Sequence, residues 1–305
     1  MLRKFIFIII ALIHINVASA MEIAVTVDDL PANSDLPPNM TRQDIANKMI
    51  AVFKKHDIKG VYGLVNGDKV NEPGGMQILK SWIDAGNYLG NHTFHHLDLA
   101  KTDSHDYIND ISKNEPILSE LMSGKDYHYF RYPYLSEGNT QEKRDTVRQF
   151  LFNNGYKIAP VTVDFFEYEW SDPYVRCLKK QDRKSIQWLK ETYLTQAKNA
   201  LIISHELSMM LFHRDIKNVL LIHINAMTAD MLDELLTQYE KQHVTFISLS
   251  DALNDNAYQI NPNIVRDRAY TFLNQVRLSK GLKNPDIVEK LYDSLPEEQL
   301  NQLCR

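Results

Sequence analysis

The sequence is poor in the residues that mark unusual classes of chain. Its 305 residues include only 11 glycines, 11 prolines and two cysteines, which excludes collagen-like and low-complexity chains and any small fold built on many disulfides. Lysine and arginine are fewer than aspartate and glutamate, and the formal net charge is -5. The chain therefore has no dominant basic field, and we expect no nucleic-acid partner. The remaining composition, 44% hydrophobic and 24% charged, predicts a globular chain with a large core.

One long apolar run is present, at the start of the chain. Arg3 and Lys4 precede nine apolar residues, 5–13, and Ala18-Ser19-Ala20 follows with small side chains. This order is typical of a secretory signal, and nine residues are too few for a spanning helix, which needs about 20. We therefore predict a signal peptide over residues 1–20, export to a periplasm or out of the cell, and no stable membrane span after cleavage. An uncleaved anchor is the alternative.

Only two cysteines occur, Cys177 and Cys304, and they form no C-x-x-C pattern of a zinc or redox site. An oxidising compartment would permit a bridge between them. A bridge also requires their Cα atoms to come within about 7 Å of each other, and the sequence does not give that distance. A bridge and two free thiols therefore both stay open.

Apolar segments of β-strand type alternate with amphipathic helical segments over residues 21–253. Such alternation predicts βα units and a parallel sheet. Polar clusters follow several of these strands, and the ends of parallel strands meet at one mouth of a barrel, so we expect an α/β barrel with its functional groups there. The predicted strands are 22–27, 60–65, 88–91, 127–130, 157–163, 219–224 and 245–249, and the main helices between them are 42–56, 76–85, 104–122, 141–153 and 229–242.

Two segments exceed a minimal barrel. Residues 185–212 have apolar side chains at helical spacing and predict a helical insert, about residues 180–215, that could cap the site. Residues 254–305 predict a C-terminal helical extension with a helix over 265–278. The predicted organisation is therefore a signal, one barrel over 21–253 that contains the insert, and the extension.

Three histidines occur within five positions, at His92, His95 and His96. If the segment is locally helical, the i, i+4 spacing brings the imidazoles of His92 and His96 to one face, about 5–6 Å apart at Cβ, where they can share a metal ion. His95 would then point elsewhere. The alternative is a chance cluster on a surface loop.

Two adjacent acids, Asp28 and Asp29, follow the first predicted strand. Neighbouring side chains on an extended strand point to opposite sides, and of two acids near a metal one can be a ligand and the other a base. One aspartate and two histidines make three protein ligands and leave coordination positions open, which is typical of a hydrolytic metal site. The alternative is turn chemistry or a helix cap.

Two further strand ends carry candidate groups. Arg131 could pair with an aspartate, and the backbone N–H of Tyr134, after a proline, could face an oxyanion. His223 ends the most apolar strand and is a candidate general acid. The alternative for residues 131–134 is a surface turn with aromatic packing. The alternative for His223 is a core histidine whose hydrogen bonds are satisfied within the protein. No G-x-S-x-G motif occurs, which argues against a serine hydrolase of the α/β type.

Together these motifs resemble those of the NodB-type polysaccharide deacetylases, carbohydrate esterase family four. The motifs occur in the family's order over residues 22–253, each at a predicted strand end. Thr26-Val27-Asp28-Asp29 is similar to T-[FV]-D-D, His92-Thr93-Phe94-His95-His96 to H-[ST]-x-x-H, Arg131-Tyr132-Pro133-Tyr134 to R-x-P-Y, and Leu221-Ile222-His223 to L-x-H.

The resemblance implies a distorted (β/α) barrel of the NodB homology type and a divalent metal, usually zinc. It implies a hydrolase of carbon–nitrogen (non-peptide) bonds that removes acetyl groups from N-acetylated, or O-acetylated, polysaccharide or oligosaccharide, with a water on the metal attacking the acetyl carbonyl. The implied roles are metal ligand for Asp29, His92 and His96, base for Asp28, orientation of that base for Arg131, acid for His223, oxyanion contact for Tyr134 and acetyl pocket for Leu221.

The sequence departs from the family pattern at two motifs. Leu97 stands where the family often has proline. The fourth motif, D-x-x-D-W, has a loose counterpart in residues 164–170, in which Asp164 or Glu169 could support Arg131 and Trp170 could wall the pocket. A hydrolase of small non-sugar amides and a non-catalytic carbohydrate-binding protein stay as alternatives. The motifs leave the polymer, the choice between N- and O-acetyl groups, the metal and the oligomeric state open.

Overall fold

The structure is a computed structural model that describes residues 20–266 and 270–305 of the chain. All of the predicted signal peptide except Ala20 lies outside the described residues. Within the described part, no helix combines the length and the apolar character that a membrane crossing requires.

The described strands form one curled sheet in which every pairing is parallel, as the alternation of elements predicts. They are β1 (Glu22–Leu30), β2 (Tyr62–Val65), β3 (Tyr88–Asn91), β4 (Tyr129–Phe130), β5 (Lys157–Ile158), β6 (Asn218–His223) and β7 (Thr245–Ile247). Their order is β5-β4-β3-β2-β1-β6, and β7 pairs with the first residues of β1. Val163 adds an isolated parallel bridge to Leu220 of β6, which curls the sheet toward closure.

Helices follow the strands and pack around this sheet. They are α1 (Arg42–Lys55), α2 (Gly75–Asp84), α3 (Ser104–Leu121), α4 (Gln141–Asn153), α5 (Ser171–Lys180), α6 (Arg183–Phe212), α7 (Ala226–Lys241), α8 (Leu249–Leu253), α9 (Phe272–Ser279), α10 (Asp286–Tyr292) and α11 (Glu297–Gln302). The main core joins the fully buried Ile23 and Val27 of β1 to apolar side chains of α1 and α7, such as Phe53 and Leu235. The fold is therefore a distorted (β/α) barrel, with helices outside a curled parallel sheet.

Most predicted elements agree with the structure to within three residues, and the exceptions have local causes. The strand predicted at 157–163 is limited to β5, since Pro160 has no N–H to donate to a ladder. The helix predicted over 265–278 starts only at Phe272, after Thr271 at the N-cap. β1 runs on to Leu30, past the two acids that were expected to follow it.

The long helix α6 exists as predicted, but the expectation that it caps the site is wrong. Its apolar stripe, which includes Leu189, Tyr193 and Ala197, is buried in the main core. The helix contacts α5, α7, α9 and α10, and none of its residues lines the cavity at the strand ends. The insert therefore belongs to the helical layer of the barrel.

The C-terminal extension is fixed to the rest of the chain at several points. The backbone N–H of Phe272 donates to the carbonyl of Val161 over 2.7 Å, and α9 packs against α6. Near the end of the chain, Cys304 forms a disulfide with Cys177 of α5, with a Cα–Cα distance of 5.2 Å. The structure thus selects the bridge from the two states that the sequence left open, while the domain boundary at residue 253 stays a prediction.

Candidate active site and metal centre

The two acids of the first motif both face the same imidazole. Oδ2 of Asp28 lies 3.7 Å from Nε2 of His92, and Oδ1 of Asp29 lies 3.4 Å from the same atom. The expectation that the acids point to opposite sides of the strand is wrong, because Asp29 has a left-handed backbone with φ of 65° and the pairing of β1 with β2 shifts register between Val27 and Leu30. Asp28 and Asp29 are therefore directed into one site.

The imidazoles of His92 and His96 converge, with ring centroids 4.9 Å apart. The segment between them is not helical, since Thr93 and His96 have φ of 62° and 54°. A loop after β3, rather than one turn of helix, brings the two rings together. His95 points away, as predicted, and its Nδ1 lies 2.5 Å from Oδ1 of Asp110.

Hydrogen bonds from buried asparagine side chains hold in place the loop that carries these histidines. Asn91 accepts the backbone N–H of Thr93 over 2.9 Å and donates to the hydroxyl of Tyr156. Asn66 donates to the carbonyl of His92 over 2.7 Å. Since these amides are buried and bonded on several sides, they fix a loop with two left-handed residues.

Asp29, His92 and His96 fit a divalent metal. Their nearest ligand atoms all lie within 4.8 Å of one another, and Oδ1 of Asp29 is buried without a hydrogen-bond partner among the described residues. Nδ1 of His92 lies 2.8 Å from the carbonyl oxygen of Arg131. A carbonyl only accepts, so Nδ1 carries the proton and Nε2 keeps a free lone pair toward Asp29.

The electrostatics of the cluster favour deprotonated ligands. Burial acts to raise the pKa of Asp29, but the neighbouring imidazoles of His92, His96 and His223 lower that pKa well below its ordinary value. Burial lowers the pKa of His96 to about 4. A carboxylate and neutral imidazoles are the forms that bind a metal ion.

Arg131 is paired with Asp28, as the resemblance implies. The guanidinium is buried, and its NH1 lies 3.2 Å from both carboxylate oxygens of Asp28. Its remaining donors reach the carbonyl of Ala159 over 2.6 Å and the hydroxyl of Thr26 over 3.0 Å. The hydrogen bonds that hold Arg131 therefore come from a carbonyl and a threonine, while Asp164 acts on the guanidinium only through its charge. Arg131 in turn orients Asp28.

The partner of His223 is Glu167, which the sequence reasoning did not assign. Nδ1 of His223 donates to Oε2 of Glu167 over 2.7 Å, while Asn225 and Thr228 donate to Oε1. Burial acts to lower the pKa of His223, but the charge and hydrogen bond of Glu167 outweigh it and raise that pKa to about 10. Asp164-x-x-Glu167-Tyr168 has the spacing of D-x-x-D-W, and this spacing was the available signal.

A cavity of about 530 Å³ opens at these strand ends. It is lined by all three candidate ligands, by Asp28, His223, Tyr134 and Leu221, and by further residues that include Asn33, Ser34, Phe166, Tyr168 and Asp172.

Trp170 does not line this cavity, so the expectation that it walls the pocket is wrong. The indole is fully buried in the core, and its Nε1 donates to the hydroxyl of Thr192 over 2.9 Å. Tyr168, 45% exposed, supplies the aromatic wall instead.

Tyr134 lies at the rim of the cavity, with φ of 57° and 56% exposure. Its ring centroid is 4.6 Å from that of His96. The next two N–H groups, of Leu135 and Ser136, donate to the carbonyls of Tyr132 and Pro133. The N–H of Tyr134 has no such partner among the described residues and is left free as a donor.

Comparisons with known proteins agree with the motifs. Residues 16–159, which contain the first three motifs, match the family model described as polysaccharide deacetylase. A peptidoglycan-N-acetylglucosamine deacetylase of Bacillus cereus is 32% identical over 130 residues, 43% of this chain and 42% of that protein. A peptidoglycan-N-acetylmuramic acid deacetylase of Bacillus subtilis is 26% identical over 209 residues, 68% of this chain and 65% of that protein. The chain thus spans less than two thirds of the length of these relatives.

A solved structure supports the same assignment at the level of the fold. The chitin deacetylase from the fungal pathogen Colletotrichum lindemuthianum superposes with a TM-score of 0.53 and 17% identity, covering 81% of this chain and 93% of that chain. The motif order and the family match over residues 16–159 agree, and the shared fold is in keeping with both, so this chain is similar to the polysaccharide deacetylases over that part of its length.

Proposed function

We propose that this protein is a metal-dependent hydrolase that removes acetyl groups from N-acetylated, or O-acetylated, oligosaccharide or polysaccharide. The observation that carries the proposal is the arrangement of three groups around one cavity. The ligand set of Asp29, His92 and His96 lies between a carboxylate paired with arginine and an imidazole paired with glutamate. A base and an acid that flank a metal site match the needs of acyl transfer to water.

We propose zinc as the metal, because two imidazoles and one carboxylate are a common catalytic ligand set for this ion. When bound, the ion polarises a carbonyl oxygen and lowers the pKa of water. The buried, unpaired Oδ1 of Asp29 supports its presence. Asp29 is directed at that position by its left-handed backbone and by the loop that follows.

Asp28 is the proposed general base. Its carboxylate, held by Arg131, accepts a proton from the attacking water as a bond forms between the water oxygen and the acetyl carbon. The free N–H of Tyr134 donates to the oxygen that becomes negatively charged, and loss of one such donor typically costs about 10²–10³ in rate. Leu221 supplies an apolar contact for the acetyl methyl group.

His223 is the proposed general acid. Because Glu167 accepts the proton of Nδ1, the protonated ring presents Nε2–H to the cavity. This proton passes to the leaving nitrogen as the carbon–nitrogen bond breaks, since an amide anion is too poor a leaving group to depart unaided. The products are acetate and the free amine of the sugar, or an alcohol when the substrate is an O-acetyl ester.

The cavity supports an uncharged saccharide as substrate. Tyr134 and Tyr168 present exposed rings on which a sugar can stack. Asp29 would hold the metal and Asp28 is paired with Arg131, but Asp164 and Asp172 also line the cavity, and within the described residues no lysine or arginine does. Because like charges that meet across an interface are costly, we propose that neutral chains of N-acetylglucosamine type bind better than glycans with carboxylates beside the acetamido group. The curated relatives are named for both kinds of sugar.

We also propose that the protein is exported to a periplasm or out of the cell. The signal pattern at the start of the chain supports this location. The disulfide between Cys177 and Cys304 supports it independently, because such bonds persist in oxidising compartments and are rare in the cytosol.

The proposed function is tested by acetate release from chitooligosaccharides, peptidoglycan, acetylxylan and simple amides. We expect release from acetylated saccharides, loss of release with chelator, and recovery with zinc. The Asp28→Asn protein is the matched control for contaminating activity. Release from simple amides alone would favour a small-amide hydrolase, and saccharide binding without release from any substrate would favour a non-catalytic carbohydrate-binding protein. Release that a chelator leaves unchanged would contradict the metal site.

A further inference from the structure

The two oxygens of the Asp29 carboxylate have different surroundings. Oδ2 accepts a hydrogen bond from Nδ2 of Asn33 over 2.6 Å. Oδ1 has no such partner among the described residues and lies 3.4 Å from Nε2 of His92 and 3.3 Å from Nε2 of His96. One oxygen is therefore occupied by the protein, while the other faces the two imidazoles.

Asn33 is itself fixed in one orientation. The hydroxyl of Ser34 lies 2.5 Å from Oδ1 of Asn33, and NH1 of Arg42 donates to the backbone carbonyl of Asn33 over 2.6 Å. An ionised carboxylate only accepts, so the NH₂ group of Asn33 must be the side of the amide that faces Asp29. Arg42 is the first residue of α1, whose capping box holds this end of the loop in place.

A carboxylate ligand without a second partner can rotate about its last torsion and present either oxygen, or both, to a metal ion. A donor that occupies one oxygen removes this freedom, and such outer partners typically change metal affinity by about 10–100-fold when they are removed. Asn33 has the geometry of such a donor. None of the four short motifs contains it.

We infer that Asn33 is a positioning residue for the metal, which holds Asp29 as a ligand through Oδ1 alone. The inference rests on the proposed function only in that Asp29 is taken as a metal ligand. Asn33 also lines the cavity, so the competing role is direct contact with the substrate. The two roles differ in what they change: a positioning residue sets metal affinity in the absence of substrate, whereas a substrate contact sets KM.

The test measures zinc and cobalt dissociation constants of the full chain by competition with a chromophoric chelator, together with the visible spectrum of the cobalt form. Asn33→Leu keeps the approximate size of the side chain and removes the donor. We expect about 10–100-fold weaker metal binding and an altered cobalt spectrum. Asn33→His, which can still donate to Asp29, should restore part of the affinity. Asn47→Leu, at an exposed asparagine of α1, is the matched control and should bind metal as the wild type does.

Ser34→Ala provides a second variant that does not depend on the folding of Asn33→Leu. It removes the hydroxyl that holds Oδ1 of Asn33, and we expect a smaller loss of metal affinity in the same direction. Metal affinity equal to the wild type in both variants would overturn the inference, and so would a raised KM with unchanged metal affinity. A wild-type chain that binds neither zinc nor cobalt would instead overturn the proposed function, because the ligand set itself would be wrong.

Discussion

The imidazole of His223 donates to the carboxylate of Glu167 over 2.7 Å, across a separation of 56 residues in the chain. Glu167 is 1% exposed and also accepts from Asn225 and Thr228 at the start of the next helix. A buried carboxylate in this position stabilises the imidazolium form. The pair therefore decides the pH range over which His223 can give up a proton.

Replacement of this carboxylate should change the pH dependence of the reaction. Glu167→Gln removes the charge that raises the pKa of His223 to about 10, so that pKa falls. The imidazole then loses its proton at lower pH, and the alkaline limb of kcat/KM moves to lower pH, with a loss of up to about 10² in rate above neutral pH. Glu169→Gln, at a half-buried acid on the same turn, is the control and should leave the limb in place. An unmoved limb in Glu167→Gln would contradict the role of the pair.

Loss of a candidate ligand should remove the metal. His92→Ala or His96→Ala deletes one of three protein ligands, and we expect purified protein with little bound zinc by elemental analysis and no turnover. His95→Ala provides the control from the same loop, because His95 bonds Asp110 outside the cluster. If His95→Ala lost the metal while His92→Ala kept it, the ligand assignment would be wrong.

Removal of the proposed base should separate turnover from metal binding. Asp28→Asn keeps the shape of the side chain and its contact with Arg131 but cannot take a proton, so we expect turnover to fall by about 10²–10⁴ while the metal content is unchanged. Acetate release and elemental analysis on the same sample measure both quantities. Near-normal turnover would reject Asp28 as the base.

The loss of rate caused by removing His223 should depend on the leaving group of the substrate. His223→Ala removes the proton donor, which matters for an amine that must be protonated and matters little for an activated phenyl ester. We expect the ratio of ester to amide hydrolysis to rise by about tenfold or more, within the range of general acid catalysis. The comparison uses one variant and two substrates with the same acetyl group. Any change in the metal content of the variant therefore affects both substrates equally. An equal loss on both substrates would argue against an acid role.

The disulfide should contribute to stability. It closes a loop of 127 residues between Cys177 and Cys304, and removal of a native disulfide typically costs about 2–5 kcal/mol of unfolding free energy. Cys304→Ser changes the less buried partner and is measured by urea unfolding against the wild type, with and without reductant. We expect reductant to destabilise the wild type and to leave Cys304→Ser unchanged. Reactive thiols in the unreduced, unfolded wild type would show that the bridge is absent.

The sequence by itself determined the strand and helix order and the identities of the groups at the strand ends. Apolar alternation depends on neighbours only a few residues apart, so it located β1, β3 and β6 and the acids and histidines at or near their ends. It also indicated that Arg131 could pair with an aspartate, and the resemblance to the deacetylase motifs implied that this aspartate is Asp28, 103 residues away in the chain.

Only the tertiary structure decided how these groups face one another. Asp28 and Asp29 share one site because Asp29 adopts a left-handed backbone that strand periodicity does not predict. Glu167 rather than Asp164 or Glu169 meets His223, and Trp170 is buried rather than at the cavity, because one short turn sets which of several similar side chains points inward. Likewise, only the tertiary structure decided that Asn33 meets Asp29 and that Cys177 meets Cys304. Side-chain direction and long-range proximity follow from packing and not from local sequence pattern.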